Sequence, residues 1–167
     1  GYTLPTNNKL YPAQWNWDSA FISLGYSYFN LDYAIQELET LLKGQWDDGM
    51  VPHILFHEVD DSYFPNHTTW SCGKEIPSSG ITQPPIAASI LRIIVKNNSL
   101  DETQNKKVFN LVCKLKKYHE WFFKNRDKNK SGLVSIIHPW ESGYDNSPLW
   151  DFALSKITID QNLSYER

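Results

Sequence analysis

His138-Pro-Trp-Glu-Ser-Gly-Tyr-Asp-Asn-Ser-Pro-Leu-Trp150 sets two carboxylates, Glu141 and Asp145, beside two tryptophans and a glycine, and it ends in a helix start. Ser147 is the expected N-cap and Pro148 the N1 residue, where a missing backbone N–H costs nothing. A carboxyl held in front of a helix and next to Trp and Tyr faces suits a sugar. An apolar wall raises the pKa of an acid, and a flat ring stacks on the C–H face of a pyranose. Asp145 is therefore the candidate catalytic acid. The plain alternative is that Glu141 and Asp145 only cap a helix and its entry loop, as acidic residues near helix N-termini routinely do.

Upstream of this stretch, helical periodicity comes in pairs. Asp18 and Ser19 are the expected cap of a first helix, Ala20 to Phe29, apolar nearly all round and so expected to be enclosed by others. Asp32 is expected to cap a second, which runs to Lys43 with Ala34, Leu38, Leu41 and Leu42 on one face and Gly44 as its stop. Pro84 and Pro85 open a third, apolar helix that continues to Val95. A fourth is expected from Glu102 to Asn125, with Val108, Leu111, Val112, Leu115, Tyr118, His119 and Phe122 on its inner side. A fifth begins at Pro148. The spacing thus predicts an all-α chain in which enclosed and peripheral helices alternate. Residues 45–83 show no regular element, yet carry too many aromatics for disorder and are expected to form an ordered wall. Asp127 to Gly132 reads as a tight polar turn with a weak look of a calcium loop, since the ligand periodicity is missing.

If the helices run alternately up and down, the loops before the first, third and fifth share one end. Those loops, 11–18, 46–83 and 138–147, are the long aromatic ones, whereas the connections at 30–31 and 97–101 are short and plain. One end therefore carries the chemistry, and Trp15, Trp17, Asp18, His53, Gln83, Trp140 and Asp145 are expected to converge there. Taken singly, Trp15 or Trp17 reads as core, His53 as a satisfied buried histidine and Gln83 as the close of a turn. Only their convergence would single out a polar, ring-shaped ligand.

Composition narrows the classes. The 167 residues suit one domain, and a net charge of -3 gives no electrostatic reason to expect nucleic acid or an anionic membrane as partner. Aromatics make up 14% of the chain, many of them beside Gly, Pro, Asp and Asn, which suggests a cleft more than a core. No stretch has the length and apolarity of a membrane span, and the start has no signal-peptide layout. Cys72 and Cys113 lack the spacing of a metal or redox motif, and the simpler reading is two free thiols in a cytoplasmic protein, with one disulfide as the alternative. Asn-x-Ser/Thr triplets at Asn66, Asn97, Asn129 and Asn162 arise readily by chance in an Asn-rich chain. No motif calls for a cofactor or a metal.

Four segments in order, Tyr11-Pro-Ala-Gln-Trp-Asn-Trp-Asp-Ser-Ala-Phe21, Asp48-Gly-Met-Val-Pro-His53, Thr82-Gln-Pro-Pro85 and Pro139-Trp-Glu-Ser-Gly-Tyr-Asp-Asn146, resemble signature segments of inverting glycoside hydrolases built on an (α/α)6 barrel. The nearest resemblance is to glycoside hydrolase family 63 and its mannosylglycerate and glucosylglycerate hydrolase relatives, with family 37 trehalases more distant. It implies that residues 1–167 are the N-terminal half of an incomplete (α/α)6 toroid, whose partner is the missing C-terminal half. It implies Asp145 as general acid, Trp17 and Asp18 in the subsite beside the cleaved bond, His53, Gln83, Trp140 and the Gly143 backbone as further sugar contacts, and Tyr11 and Trp15 near the aglycone. Ile81 stands where trehalases usually carry Arg, which points away from trehalose. The implied reaction is hydrolysis of small α-glucosides or α-mannosides; the alternative is a non-catalytic carbohydrate-binding helical module. Inversion needs a second carboxylate about 6.5–9.5 Å from the acid. In the family it lies far downstream, and the local substitutes Glu141 and Asp151 do not fit its placing. An incomplete barrel also predicts inner helices with an exposed apolar flank.

Overall fold

Residues 1–6 and 10–158 are described by the computed structural model. In chain order they form a two-residue strand β1 (Gln14–Trp15), helices α1 (Asn16–Ser27) and α2 (Leu31–Lys43), strand β2 (Ile54–Leu55), and helices α3 (His67–Trp70), α4 (Ala87–Asn97), α5 (Glu102–Arg126) and α6 (Asp151–Leu154). Single 3-10 turns occupy Pro139–Ser142 and Pro148–Trp150. Helix α1 packs on α2 and α4, and α5 packs on α2 and α4. Two layers result, α1 with α4 and α2 with α5. The triplet at Asn162 lies outside the described residues.

Helix α2 forms because Ala34, Ile35, Leu38, Leu41 and Leu42 fall on one stripe. All five are buried, against Leu91, Ile94, Leu111, Leu115 and Tyr118 among others. Each buried Leu or Ile contributes about 1.5–3 kcal/mol. The cap of α2 is Asn30, whose side chain accepts from the Tyr33 N–H at 3.1 Å, and not Asp32 as the sequence suggested. Gly44 does end α2, but with ordinary backbone angles; its value is space, since a Cβ there would lie 2.2 Å from Leu55. Helix α5 starts where expected, in a capping box of Asp101 and Gln104. On its flank Val112 is exposed and His119 half-buried, so the predicted inner face is narrower than it looked.

Helix α1 departs further from expectation. It begins at Asn16, so Asp18 and Ser19 sit inside the first turn and cap nothing. Its buried face is made of small residues, Ser19, Ala20, Ser23 and Ser27, with the Ser23 hydroxyl donating to the Ala34 carbonyl at 2.8 Å across the α1–α2 contact. Of its large side chains, Leu24 and Tyr26 pack partly buried against the core, whereas Phe21 is 53% exposed. On α4, Ile93 and Val95 are also exposed.

The long segment before α4 is not irregular throughout. Ile54–Leu55 pairs antiparallel with Gln14–Trp15, and Asn66 caps the single turn α3. Ala13, Trp15, Ile54 and Phe56 make a second small core there, with Tyr63 and Trp70 packed against it. Two-residue pairings leave no period in a sequence. Ser147 caps the 3-10 turn at Pro148–Trp150 as predicted, but the fifth helix ends at Leu154 and is exposed, with Phe152 at 76%. All four residues of this helix are exposed, so it buries no apolar face that would stabilise a longer one. Cys72 and Cys113 are free thiols. Among the described residues no helix is long and apolar enough to cross a membrane.

Candidate active site

The first N–H groups of α1 have no side-chain cap of their own, because Trp15 stands at the cap position. Residues distant in the chain satisfy them. The Asn16 N–H donates to the His53 carbonyl at 3.0 Å, and the Trp17 N–H donates to Gln83 Oε1 at 3.1 Å. This brings the Trp15–Asp18, His53 and Gln83 segments together at the N-terminus of α1. The buried Tyr118 hydroxyl holds them from behind. It donates to the Gln83 carbonyl at 2.8 Å, accepts from the Asn16 amide at 3.2 Å and lies 2.5 Å from the Thr82 hydroxyl. Thr82 in turn reaches the Val51 carbonyl at 2.7 Å.

In front of this frame stands an aromatic wall. Trp15 meets Tyr11, Tyr63 and His53 edge to face, at centroid distances of 5.0, 5.6 and 6.4 Å. Trp140 lies 5.9 Å from His53, 4.9 Å from His138 and 6.4 Å from Trp70. Gly143 ends the 3-10 turn with φ of +69° and faces Trp17 so closely that a Cβ would lie 2.4 Å from the indole. Both the backbone angle and the contact require glycine.

Electrostatics link the two aspartates. Asp145 is exposed on its loop, and the partial burial of its carboxyl raises it above its ordinary value, against the lowering effect of His138 and a backbone hydrogen bond. Burial also raises Asp18, and the charge of Asp145 adds to that rise. Tyr63 is pushed up to about 12 by burial, then by Tyr11 and Asp145. Asp145 thus acts electrostatically on Asp18, Tyr63 and His138, and the contact that ties its loop to the wall is that of Gly143 with Trp17.

His53 is 4% exposed, and burial with the nearby His138 lowers its pKa to about 3. It is neutral in the fold, and among the described residues its Nδ1 has no hydrogen-bond partner. Because unfolding frees His53 to take a proton below about 6.5, its contribution to stability is complete above that pH and declines toward pH 3, by about 1.4 kcal/mol per pH unit. Urea titrations at pH 7 and pH 5 should therefore show a flatter pH dependence for His53→Gln than for the parent chain. Burial lowers His57 and His138 as well, so some slope should remain. Equal slopes would mean that His53 stays hydrated in the fold.

Glu141 is neither a cap in the sense expected nor a free base. Its side chain is 2% exposed and accepts from the Thr82 N–H at 3.2 Å, the Ile137 N–H at 2.9 Å and Arg126 Nη2 at 2.8 Å. Asp151, the other local substitute, is exposed on α6. Asp127 accepts from the N–H groups of Ser131 and Gly132, both at 2.8 Å, so its carboxylate closes a turn and is not free for calcium. Among the described residues no group of three or more His, Cys, Asp or Glu could hold a metal ion. A hollow of about 460 Å³ lined by Lys43, Trp46, Asp48 and Lys74 lies away from the wall. It holds the exposed Lys74–Asp47 ion pair, whereas the buried, unpartnered polar atom of His53 belongs to the wall.

Tyr63, Trp70 and His138 join the wall without having been singled out as site residues. Their signal was the density of aromatics in the loops. Asn16, Thr82 and Tyr118 gave none, because their partners lie up to 102 positions away.

The model of the mannosylglycerate hydrolase MGH1-like glycoside hydrolase domain matches residues 11–167. Mannosylglycerate hydrolase MGH2 of Selaginella moellendorffii is 47% identical, over 100% of this chain and 34% of that protein. Glucosylglycerate hydrolase of Mycolicibacterium hassiacum is 35% identical, over 95% of this chain and 38% of that protein. The crystal structure of a family 63 mannosylglycerate hydrolase from Thermus thermophilus, in complex with Tris and D-glycerate, matches with a TM-score of 0.91 at 44% identity, covering 99% of this chain and 40% of that chain. The chain thus spans between a third and two fifths of the length of these relatives. The match in structure bears out the all-α class and the (α/α)6 barrel architecture expected from the four segments. This chain belongs to the MGH1-like glycoside hydrolase domain family, within the family 63 type.

Proposed function

We propose that this chain is the acid-bearing part of a longer, inverting α-glycosidase that cleaves mannosylglycerate, glucosylglycerate or a similar small α-glycoside. The observation that carries this is Asp145: a carboxyl raised above its ordinary value by burial, on a loop fixed against Trp17 through Gly143. In this reading Asp145 gives its proton to the glycosidic oxygen as the C1–O bond breaks, and a carboxylate outside these residues takes a proton from the attacking water. Trp17 and Asp18 hold the sugar beside the cleaved bond, and neutral His53 offers its unpartnered ring nitrogen to a sugar hydroxyl. Gln83 spends its oxygen on the Trp17 N–H and keeps its amide nitrogen for the sugar. Trp140 and the Gly143 backbone complete the sugar side, and Tyr11 with Trp15 borders the aglycone.

The related structures from Thermus thermophilus were solved with D-glycerate or with glucose, which supports a small saccharide joined to glycerate. The exposed Phe21, Ile93 and Val95 on the α1 and α4 layer support a remainder of the barrel that covers them. Two free thiols support a reducing, cytoplasmic setting. The test is to incubate the full-length protein with mannosylglycerate and with glucosylglycerate and to follow the first-formed sugar by proton NMR. The β-anomer should appear first from either α-glycoside. If the α-anomer came first, inversion would be wrong. If neither sugar were released while either glycoside bound, a non-catalytic sugar-binding module would replace the hydrolase.

A further inference from the structure

Glu141 stands out among the buried groups that the mechanism above does not use. Its carboxylate accepts three hydrogen bonds from three different places: Thr82 on the segment that delivers Gln83, Arg126 at the end of α5, and Ile137 at the entry to its own loop. Arg126 is itself held, with its guanidinium 4.6 Å from the Trp121 ring, and the Trp121 indole donates to Asp48 at 2.8 Å. The loop beyond Glu141 is a chain of local turns. The Ser142 hydroxyl donates to the Pro139 carbonyl and accepts from the Tyr144 N–H, and the Ser147 N–H donates to the Tyr144 carbonyl. Such bonds fix the shape of the loop but not its place on the molecule.

We propose that Glu141 is a positioning residue for the general acid, registering the loop that carries Trp140 and Asp145 against the frame of Gln83 and α5. This rests on the reading of Asp145 as the acid. A glutamine at 141 has one acceptor oxygen for three donors, and its NH2 group would face an N–H or the guanidinium. The loop would therefore shift while the fold persisted. A shift of about 1 Å in a reacting group costs about 100-fold in rate. Since the misplaced group is the proton donor, the loss should follow the need for a proton. A glycerate leaving group needs one; a 2,4-dinitrophenolate departs without help.

The experiment compares wild type, Glu141→Gln and Asp145→Asn, each as the full-length enzyme, on the glycerate α-glycoside and on the 2,4-dinitrophenyl α-glycoside of the same sugar. For Glu141→Gln, kcat on the glycerate substrate should fall about 30- to 100-fold with KM within about threefold, and kcat on the dinitrophenyl substrate should fall less than about fivefold. Equal losses on both substrates, or no loss, would overturn the assignment. Asp145→Asn separates the two ideas. If it too lost equally on both substrates, the acid reading would fail and this inference with it. If Asp145→Asn showed the split and Glu141→Gln did not, this inference alone would fall. Should Glu141→Gln not fold, Arg126→Lys, which keeps the charge but loses the guanidinium bond, is judged by the same split.

Discussion

Asp145→Asn in the full-length enzyme should lower kcat on the glycerate α-glycoside by about 10³-fold and leave KM nearly unchanged. Asparagine has almost the shape of the acid and can still take the backbone hydrogen bond that Asp145 receives. What it lacks is the transferable proton. On the proposed reading the sugar would still meet Trp17, Asp18, His53 and Trp140, so binding should survive. Steady-state assays on the two substrates, which differ only in the leaving group, read this directly. A residual rate above about a tenth of wild type on the glycerate substrate would remove Asp145 from the role of acid. A large rise in KM with unchanged kcat would make it a binding residue instead.

The second large effect concerns the fold. Arg126→Met should destabilise the protein by about 3 kcal/mol or more, because it strands a buried carboxylate. Glu141 would keep two backbone donors but lose the only positive charge that pairs with it among the described salt bridges. Arg126 also stacks on Trp121 and sits in the last turn of α5, where a cation is favourable. By contrast Lys106 and Glu102 form an exposed i,i+4 pair, with side chains 74% and 85% exposed, and removing Lys106 should change stability by less than about 0.5 kcal/mol. Urea unfolding of the two variants side by side measures the difference. Adding Glu141→Gln to Arg126→Met should recover part of the loss, since the stranded charge is then gone. A cost below about 1 kcal/mol for Arg126→Met would mean that the pair is hydrated or loosely held.

The helices were legible where a stripe or a cap is local. Leu38, Leu41 and Leu42 announce α2, the periodicity from Glu102 announces α5, and the plain connections at the far end follow from their shortness. Helix α1 was misplaced by four residues because its cap is not local: Gln83, across 66 positions, takes the Trp17 N–H. Its buried face of serines and alanine reads as polar in a sequence, while the exposed Phe21 reads as core. The gathering of Trp15, His53, Trp140, Trp17 and Gln83 at one end came from counting which loops are long, a topological argument that needs no distances. The resemblance favoured Asp145 over Glu141 as the acid, but nothing in the sequence assigned Glu141 its three buried donors. In the fold Glu141 is enclosed by three donors, whereas Asp145 is exposed on its loop.

The pH dependence of kcat/KM of the full-length enzyme, on the glycerate and the dinitrophenyl α-glycosides, bears most directly on Asp145. With Asp145 protonated in the active form, activity on the glycerate substrate should fall on an alkaline limb, placed above the ordinary aspartate value of about 3.9 by the burial of that carboxyl. That limb should vanish in Asp145→Asn and be weak or missing on the dinitrophenyl substrate. An alkaline limb that stayed at the same pH in Asp145→Asn would contradict the assignment of the acid and send the search to another proton donor.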